Sequence, residues 1–200
     1  MADIIYTYGG KVYLNITNKC PCRCTFCIRS NGEGLGSAET LWHEKDPSAD
    51  EIIAAIDSFD FSVFQEVTFC GYGEPLCALD NLVKAGKYIK SKYNIQIRIN
   101  TNGLGDLINK KNTAKIIGEF ADTVSISLNA PNPQRYVELS RPSFGEKSFD
   151  AIIEFAKECK KNIKTVKFSL VNVISDDEIE ECRKLAEKLE IPLRVREYTK

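Results

Sequence analysis

The chain has 200 residues, with 27 lysines and arginines against 28 aspartates and glutamates, and a formal net charge of -1. This length suits one domain with a substantial core, and the balanced charge argues against a nucleic-acid or anionic-membrane binder. No apolar run approaches the ~20 residues that span a bilayer, and the acidic start Met1-Ala2-Asp3 lacks the apolar core of a signal peptide. We therefore expect one cytoplasmic domain over residues 1–200.

Short β-rich runs alternate with longer helical patterns along the chain. The predicted strands cover residues 12–17, 66–70, 95–100, 123–128, 165–173 and 193–196. The predicted helices cover residues 49–58, 79–92, 111–120, 147–160 and 176–189. This alternation predicts an α/β fold with a parallel sheet and right-handed crossovers. An open doubly wound sheet and a partial barrel both fit the pattern, and because a full eight-unit barrel needs ~250 residues, the second would be incomplete.

Four of the eight cysteines lie directly after the first predicted strand, at Cys20, Cys22, Cys24 and Cys27. Thiolates suit zinc or iron–sulfur clusters. Cys20, Cys24 and Cys27 have a spacing that can hold three corners of an iron–sulfur cube, which leaves the fourth iron open. A structural zinc site usually needs a second, distant ligand pair, and none is present, so zinc on all four thiols is the less favoured alternative. Cys22 is predicted to be a bystander. The scattered cysteines are expected to be core residues: Cys70, Cys77, Cys159 and Cys182.

A long connection over residues 28–47 follows the cysteines and contains the only histidine, His43. Connections of this length in compact domains are usually functional lids or disordered segments. We expect a mobile flap over the site, with His43 as a solvated loop side chain.

The order of the motifs resembles the radical S-adenosylmethionine (radical SAM) superfamily. Its signature is matched by Cys20-x3-Cys24-x-Phe26-Cys27 after a strand. Three further segments at strand ends are similar to its later motifs, namely residues 71–75 (Gly-Tyr-Gly-Glu-Pro), 98–103 (Arg-Ile-Asn-Thr-Asn-Gly) and 125–129 (Ser-Ile-Ser-Leu-Asn). Residues 128–131 most resemble the TatD-associated radical SAM proteins, with some likeness elsewhere to the activating enzymes of glycyl-radical proteins.

The resemblance implies a partial (β/α)6 barrel of the radical SAM type with two cofactors. Cys20, Cys24 and Cys27 would carry a [4Fe–4S] cluster, whose open iron chelates S-adenosylmethionine. The residues implied to contact S-adenosylmethionine are Phe26, Gly73, Glu74, Pro75, Asn100, Ser127, Asn129, Arg141 and Val171.

Particular roles follow for several of these residues from the same resemblance. Glu74 would neutralise the ammonium group of the cofactor, while Asn100 and Ser127 would lie near its ribose hydroxyls. Arg141 would pair with the methionyl carboxylate or remain a solvated loop arginine. On the last strand, two alternating arginines would either line the substrate side and favour an anionic group or stay exposed on an edge strand: Arg194 and Arg196.

The implied activity is reductive cleavage of S-adenosylmethionine to a 5′-deoxyadenosyl radical that abstracts hydrogen from a substrate. No second cluster motif is evident, so a flavodoxin- or ferredoxin-like electron donor is expected. A small-molecule or nucleotide-modifying enzyme, an activase that installs a glycyl radical on a partner protein, and a non-catalytic metal-binding module remain as alternatives.

Overall fold

A single seven-stranded sheet organises the fold in the computed structural model, which describes residues 2–198. Its strands are β1 Ile5–Tyr8, β2 Lys11–Leu14, β3 Glu66–Phe69, β4 Gln96–Thr101, β5 Thr123–Ser127, β6 Thr165–Val171 and β7 Leu193–Arg196. β1 pairs with β2 in the antiparallel sense, and each later neighbouring pair is parallel. The domain predicted over residues 1–200 includes residues 1, 199 and 200, which lie outside the described residues.

The first strand is an addition to the six that were predicted. β1 and β2 form a hairpin whose two turn residues, Gly9 and Gly10, have φ values of 56° and 72°. Positive φ at both central positions is typical of the tight turn that matches the twist of two strands, and glycine adopts it without steric cost. The adjacent glycines were therefore the signal in the sequence from which this hairpin could have been predicted.

Within residues 2–198, seven helices connect the strands. They are α1 Ala49–Ser58, α2 Leu79–Lys92, α3 Gly105–Asn109, α4 Thr113–Ile117, α5 Pro133–Ser140, α6 Lys147–Asn162 and α7 Asp176–Lys188, with short 3-10 helices at Ile28–Ser30 and Pro75–Ala78. None of the helices in the described range is long and apolar enough to cross a membrane. The bounds of α1 and α2 agree with the prediction, but α5 was not predicted.

The helix predicted over residues 111–120 is present as α4 but is shorter, and α3 before it was not predicted. Lys110 takes a left-handed conformation that ends α3, and the side chain of Asn112 then accepts a hydrogen bond from the backbone N–H of Lys115 to begin α4. A left-handed residue cannot continue a helix, whereas asparagine is a favoured N-cap. The start of α4 is therefore two residues later than predicted.

The order of the strands in the sheet decides between the open doubly wound sheet and the partial barrel, both of which fitted the sequence. Doubly wound sheets reverse their strand order at a switch point, whereas here every strand lies beside its neighbours in the chain. The side chains of Val67, Ile97 and Ile99 are fully buried on the outer, helix-covered face. The alternating positions Arg98 and Asn100 face the other side and are only half-buried. The architecture is a partial barrel with a polar interior, as expected.

The connection over residues 28–47 is docked, which contradicts the expectation of a free flap. The backbone N–H of Ser37 donates to the carbonyl of Thr7 on β1 at 2.9 Å, and the Tyr72 hydroxyl donates to the Gly32 carbonyl at 2.8 Å. The expectation for His43 was also wrong, since only 9% of it is exposed and its Nε2 lies 3.0 Å from the backbone oxygen of Asn15. These contacts make the segment a wall of the structure at the edge of the sheet.

Candidate active site

The loop that carries the clustered cysteines leaves the carboxyl end of β2, the edge where ligands gather in barrels of parallel strands. It is held on two sides by backbone hydrogen bonds. The N–H of Glu74, after β3, donates to the carbonyl of Lys19 at 2.8 Å, and the N–H of Arg23 donates to the carbonyl of Ser140, at the end of α5, at 3.0 Å. The loop is therefore positioned by two elements that lie far apart in the sequence.

The four clustered thiols differ in their access to solvent. Cys20, Cys24 and Cys27 are partly exposed, whereas Cys22 is 2% exposed. The Cys22 sulfur belongs to the hydrophobic core and lies 3.9 Å from the hydroxyl of Tyr136. Three thiols in one loop are thus available to an external ligand, and they are the three at the predicted spacing.

Hydrogen bonds with Cys22 shift the pKa values of two neighbouring thiols. They lower the pKa of Cys20, and they lower the pKa of Cys24 to about 7. The same hydrogen bonds raise the pKa of Cys22, so its thiol keeps its proton, while burial raises the pKa of Cys27. The thiolate is the metal-binding form of cysteine, and a bound metal itself favours that form.

A cluster with three thiolate ligands fits this donor set better than a single metal ion. No group of three or more His, Cys, Asp or Glu side chains within residues 2–198 has the arrangement that would hold one ion. In an iron–sulfur cube each thiolate binds a separate iron, so the three sulfurs do not need to converge on one point. The thiols therefore fit a [4Fe–4S] cluster and do not form a tetrahedral zinc site.

The backbone of the loop after β3 lies very close to the backbone that leads into the cysteine loop. A Cβ atom on Gly73 would lie 2.2 Å from the carbonyl oxygen of Thr17 and 2.9 Å from that of Lys19. Real Cβ atoms are essentially never this close to backbone atoms, so only glycine fits without displacing the chain that enters Cys20. The cofactor contact implied for Gly73 stays a prediction.

Glu74 is a buried carboxyl that connects two strand ends. It is 4% exposed and accepts hydrogen bonds from the Leu76 N–H at 3.1 Å, the Thr101 hydroxyl at 2.7 Å and the Asn102 N–H at 2.7 Å. Burial raises its pKa to about 7 in spite of these donors. Its contacts are those of a residue that positions the ends of β3 and β4, while an ammonium contact stays a prediction.

Two buried amide oxygens lack any partner in the part of the chain that the structure describes. They are Oδ1 of Asn100, at the end of β4, and Oδ1 of Asn129, just after β5. Asn129 is 5% exposed and has a φ of 57°. Ser127 is the last residue of β5 and is in register with Ser169 on β6. Because buried polar atoms normally find a partner, these oxygens fit a polar ligand such as S-adenosylmethionine.

The remaining predicted contacts occupy different environments. Phe26 packs partly buried against the core, and Pro75 begins the buried 3-10 helix after Glu74. Val171 is 8% exposed at the end of β6. Arg141 is exposed, ends α5 in a left-handed conformation and makes no ion pair with another described residue.

A match to the Radical SAM superfamily covers residues 14–186, from the end of β2 to α7. The chain belongs to this superfamily. Radical SAM proteins are enzymes that use a [4Fe–4S] cluster and S-adenosylmethionine, and they require a reducing electron donor. The membership confirms the predicted superfamily and partial barrel, while the finer likeness to the TatD-associated proteins stays a prediction.

Curated relatives and solved structures agree with this membership. A GTP 3′,8-cyclase of Lactiplantibacillus plantarum is 32% identical over 84% of this chain and 48% of its own length. The dual-specificity RNA methyltransferase RlmN of Nautilia profundicola is 27% identical over 88% of this chain and 50% of its own. Streptococcus suis SuiB bound to S-adenosylmethionine has a similar fold, with a TM-score of 0.63 and 21% identity over 94% of this chain and 40% of that one. The chain spans about half the length of the curated relatives it matches.

Sequence reasoning did not assign the two asparagines that contact the cysteine loop and the loop after β3. Asn102 Nδ2 lies 3.8 Å from the sulfurs of both Cys20 and Cys22. Asn15 Oδ1 accepts from the Tyr72 N–H at 3.3 Å and so fixes the loop after β3. A polar residue after a strand is a weak signal by itself, and no local pattern indicates which distant loop it contacts.

Proposed function

We propose that this radical SAM protein cleaves S-adenosylmethionine reductively, with Cys20, Cys24 and Cys27 as the cluster ligands. These residues would hold a [4Fe–4S] cluster, which would supply the electron for cleavage of S-adenosylmethionine to methionine and a 5′-deoxyadenosyl radical, and the radical would abstract hydrogen from an unidentified substrate. The observation that carries the proposal is the difference in exposure within the cysteine loop, where three thiols reach the open edge of the barrel and Cys22 does not.

The proposal assigns binding and positioning to the surrounding strand ends. The unpartnered oxygens of Asn100 and Asn129 would accept hydrogen bonds from cofactor hydroxyl or amino groups. Glu74 would hold the ends of β3 and β4 at a fixed separation, with one lone pair of Oε2 left for the ammonium group. The remaining proposed cofactor contacts are Phe26, Gly73, Pro75, Ser127, Arg141 and Val171.

The electron is proposed to come from a flavodoxin- or ferredoxin-like protein. Outside the cysteine loop, the described cysteines are separated along the chain, and Cys159 and Cys182 are buried in the core. They provide no second cluster that could relay electrons. The eight free thiols also suit a reducing compartment, for which we propose the cytoplasm.

Two kinds of substrate are compatible with this site. One is a small molecule that enters the polar barrel interior, and the other is a glycyl-radical protein that docks at the strand ends. We favour the small molecule because the interior of β3 to β7 carries polar and charged side chains, which a ligand can contact directly. Substrates named for the relatives, GTP and RNA, differ from each other and do not single out one for this chain.

The test is anaerobic reconstitution, reduction with dithionite in the presence of S-adenosylmethionine, and assay for 5′-deoxyadenosine. Cys24→Ala is expected to lose both iron and product because a cluster ligand is removed. The matched variant Cys22→Ala should keep both, since all three ligands remain and bound iron itself keeps their thiols deprotonated. Full iron and product in Cys24→Ala, or a zinc-only wild-type protein, would contradict the proposal. Deuterium transfer from a co-purified protein labelled at its glycine α-carbons into 5′-deoxyadenosine would favour the activase.

A further inference from the structure

The inner face of β6 and β7 carries three cations without acidic partners. Arg194 pairs in register with Ser169 of β6, and Arg196 pairs with Val171, so both arginines alternate on the same face. Lys167 precedes Ser169 by two positions and shares that face. Among residues 2–198 no ion pair involves any of the three within the 4.0 Å limit that defines one.

Strand register places these cations on the inner face of the barrel, because Asn100 pairs with Ser125 and Ser125 pairs with Lys167. The guanidinium of Arg196 is close enough to the Cys70 thiol, after β3, and to Tyr13 of β2 for an electrostatic interaction with each. Arg194 acts on Tyr13 in the same way. Since β2 and β3 lie on the far side of the sheet from β7, their groups interact with these arginines across the barrel space.

Neither acidic group near this interior forms an ion pair with these cations. Glu66 of β3 pairs with Arg98 of β4, with 3.1 Å between Oε1 and Nε. Glu74, which also acts on Cys70, is hydrogen-bonded to the Thr101 hydroxyl and the Asn102 N–H. Lys167, Arg194 and Arg196 therefore have no ion-pair partner among residues 2–198. A concave space lined by one sign of charge concentrates ligands of the opposite sign.

The side chain of Arg196 can be reached by a ligand from solvent. It is exposed although it belongs to the inner face of β7, and it makes no ion pair with another residue in the range 2–198. A guanidinium in this position can donate two parallel hydrogen bonds to the oxygens of a carboxylate or phosphate.

We propose that Arg194, Arg196 and Lys167 bind an oxyanion group, a phosphate or a carboxylate, of the substrate. This assignment rests on the proposed function, since it concerns the molecule whose hydrogen is abstracted. Cys70 is close enough to both Cys27 and Arg196 for an electrostatic interaction with each. A small anionic substrate held by the cations would extend from β7 past Cys70 towards the cysteine loop.

The test is calorimetric titration of the reconstituted, S-adenosylmethionine-bound protein with inorganic pyrophosphate and, separately, with malonate. Binding of pyrophosphate alone would identify a phosphate site, and binding of malonate alone a carboxylate site. Arg196→Gln should lower the binding affinity for the favoured probe by at least about tenfold, because a charge-assisted hydrogen bond is lost. Arg196→Lys should recover part of the affinity. The matched control Arg183→Gln removes a positive charge from the exposed surface of α7 and should change affinity less than about twofold.

Several results would overturn the inference. These are no binding of either probe to the wild-type protein, an equal loss in Arg183→Gln and Arg196→Gln, or competition between the probe and S-adenosylmethionine for one site. Thermal unfolding and iron content of each variant separate loss of binding from loss of fold. Formation of 5′-deoxyadenosine is measured independently. If 5′-deoxyadenosine is not formed although anion binding depends on Arg196, only the proposed function is refuted. If 5′-deoxyadenosine is formed and there is no such anion binding, only the anion site is refuted.

Discussion

Replacement of Glu74 by glutamine should change how the stability of the protein depends on pH. Burial raises the pKa of Glu74 from 4.5 to about 7, while the unfolded chain should keep the ordinary value. The folded state therefore holds the proton more tightly than the unfolded state does. This contribution to stability is fully present below about pH 4.5 and is lost as the pH rises through about 7.

The size of the effect follows from the difference between these two pKa values. At about 1.4 kcal/mol for each tenfold change in proton affinity, the stabilisation lost by pH 8 is about 3 kcal/mol. Glutamine has the same shape but does not titrate in this range. The free energy of unfolding of the wild type, minus that of Glu74→Gln, should therefore fall by roughly this amount between pH 5 and pH 8.

Urea unfolding of the metal-free protein under reducing conditions, repeated at several pH values, measures this difference. The control is Glu44→Gln, which makes the same chemical change at an exposed carboxyl and should leave the pH profile unaltered. A raised pKa of Glu74 is refuted if the difference in the free energy of unfolding between wild type and Glu74→Gln stays constant, or if this difference grows with pH. Growth would mean that the three hydrogen-bond donors around Glu74 outweigh its burial and hold the carboxyl charged.

Two further predictions concern the neighbours of the cysteine loop. Gly73→Ala should lower the free energy of unfolding by about 1–3 kcal/mol and reduce bound iron, since the new methyl group displaces the backbone that leads into Cys20. Gly32→Ala, where a Cβ would meet nothing within 4 Å, should do neither, and equal behaviour of the two variants in urea unfolding would contradict the steric argument. Asn102→Asp removes the N–H donor 3.8 Å from the Cys20 sulfur, so the cluster potential in a redox titration should become more negative by about 40 mV. An unchanged or more positive potential would show that this donor does not reach the bound cluster.

Local sequence was sufficient wherever the deciding interactions are close along the chain. α1 begins at Ser48, whose hydroxyl accepts from the Glu51 N–H while the Glu51 carboxylate accepts from the Ser48 N–H. All of these atoms lie within one helical turn, so the motif predicts the helix start. The x3 and x2 spacings of Cys20, Cys24 and Cys27 are likewise local, and they predicted the cluster chemistry from ligand type and number.

Contacts between distant segments were decided by the tertiary structure alone. That Cys22 is buried beside Tyr136, 114 positions away, distinguishes it from its three neighbours, and no spacing rule carries that information. Glu74 acquires its raised pKa only because β3 and β4 enclose it, and Arg196 becomes an interior cation only because the sheet curves to bring β7 opposite β2 and β3. Residue type and spacing therefore determined which chemistry is possible, whereas strand curvature and burial determined which side chains meet, because both depend on the packing of the whole chain.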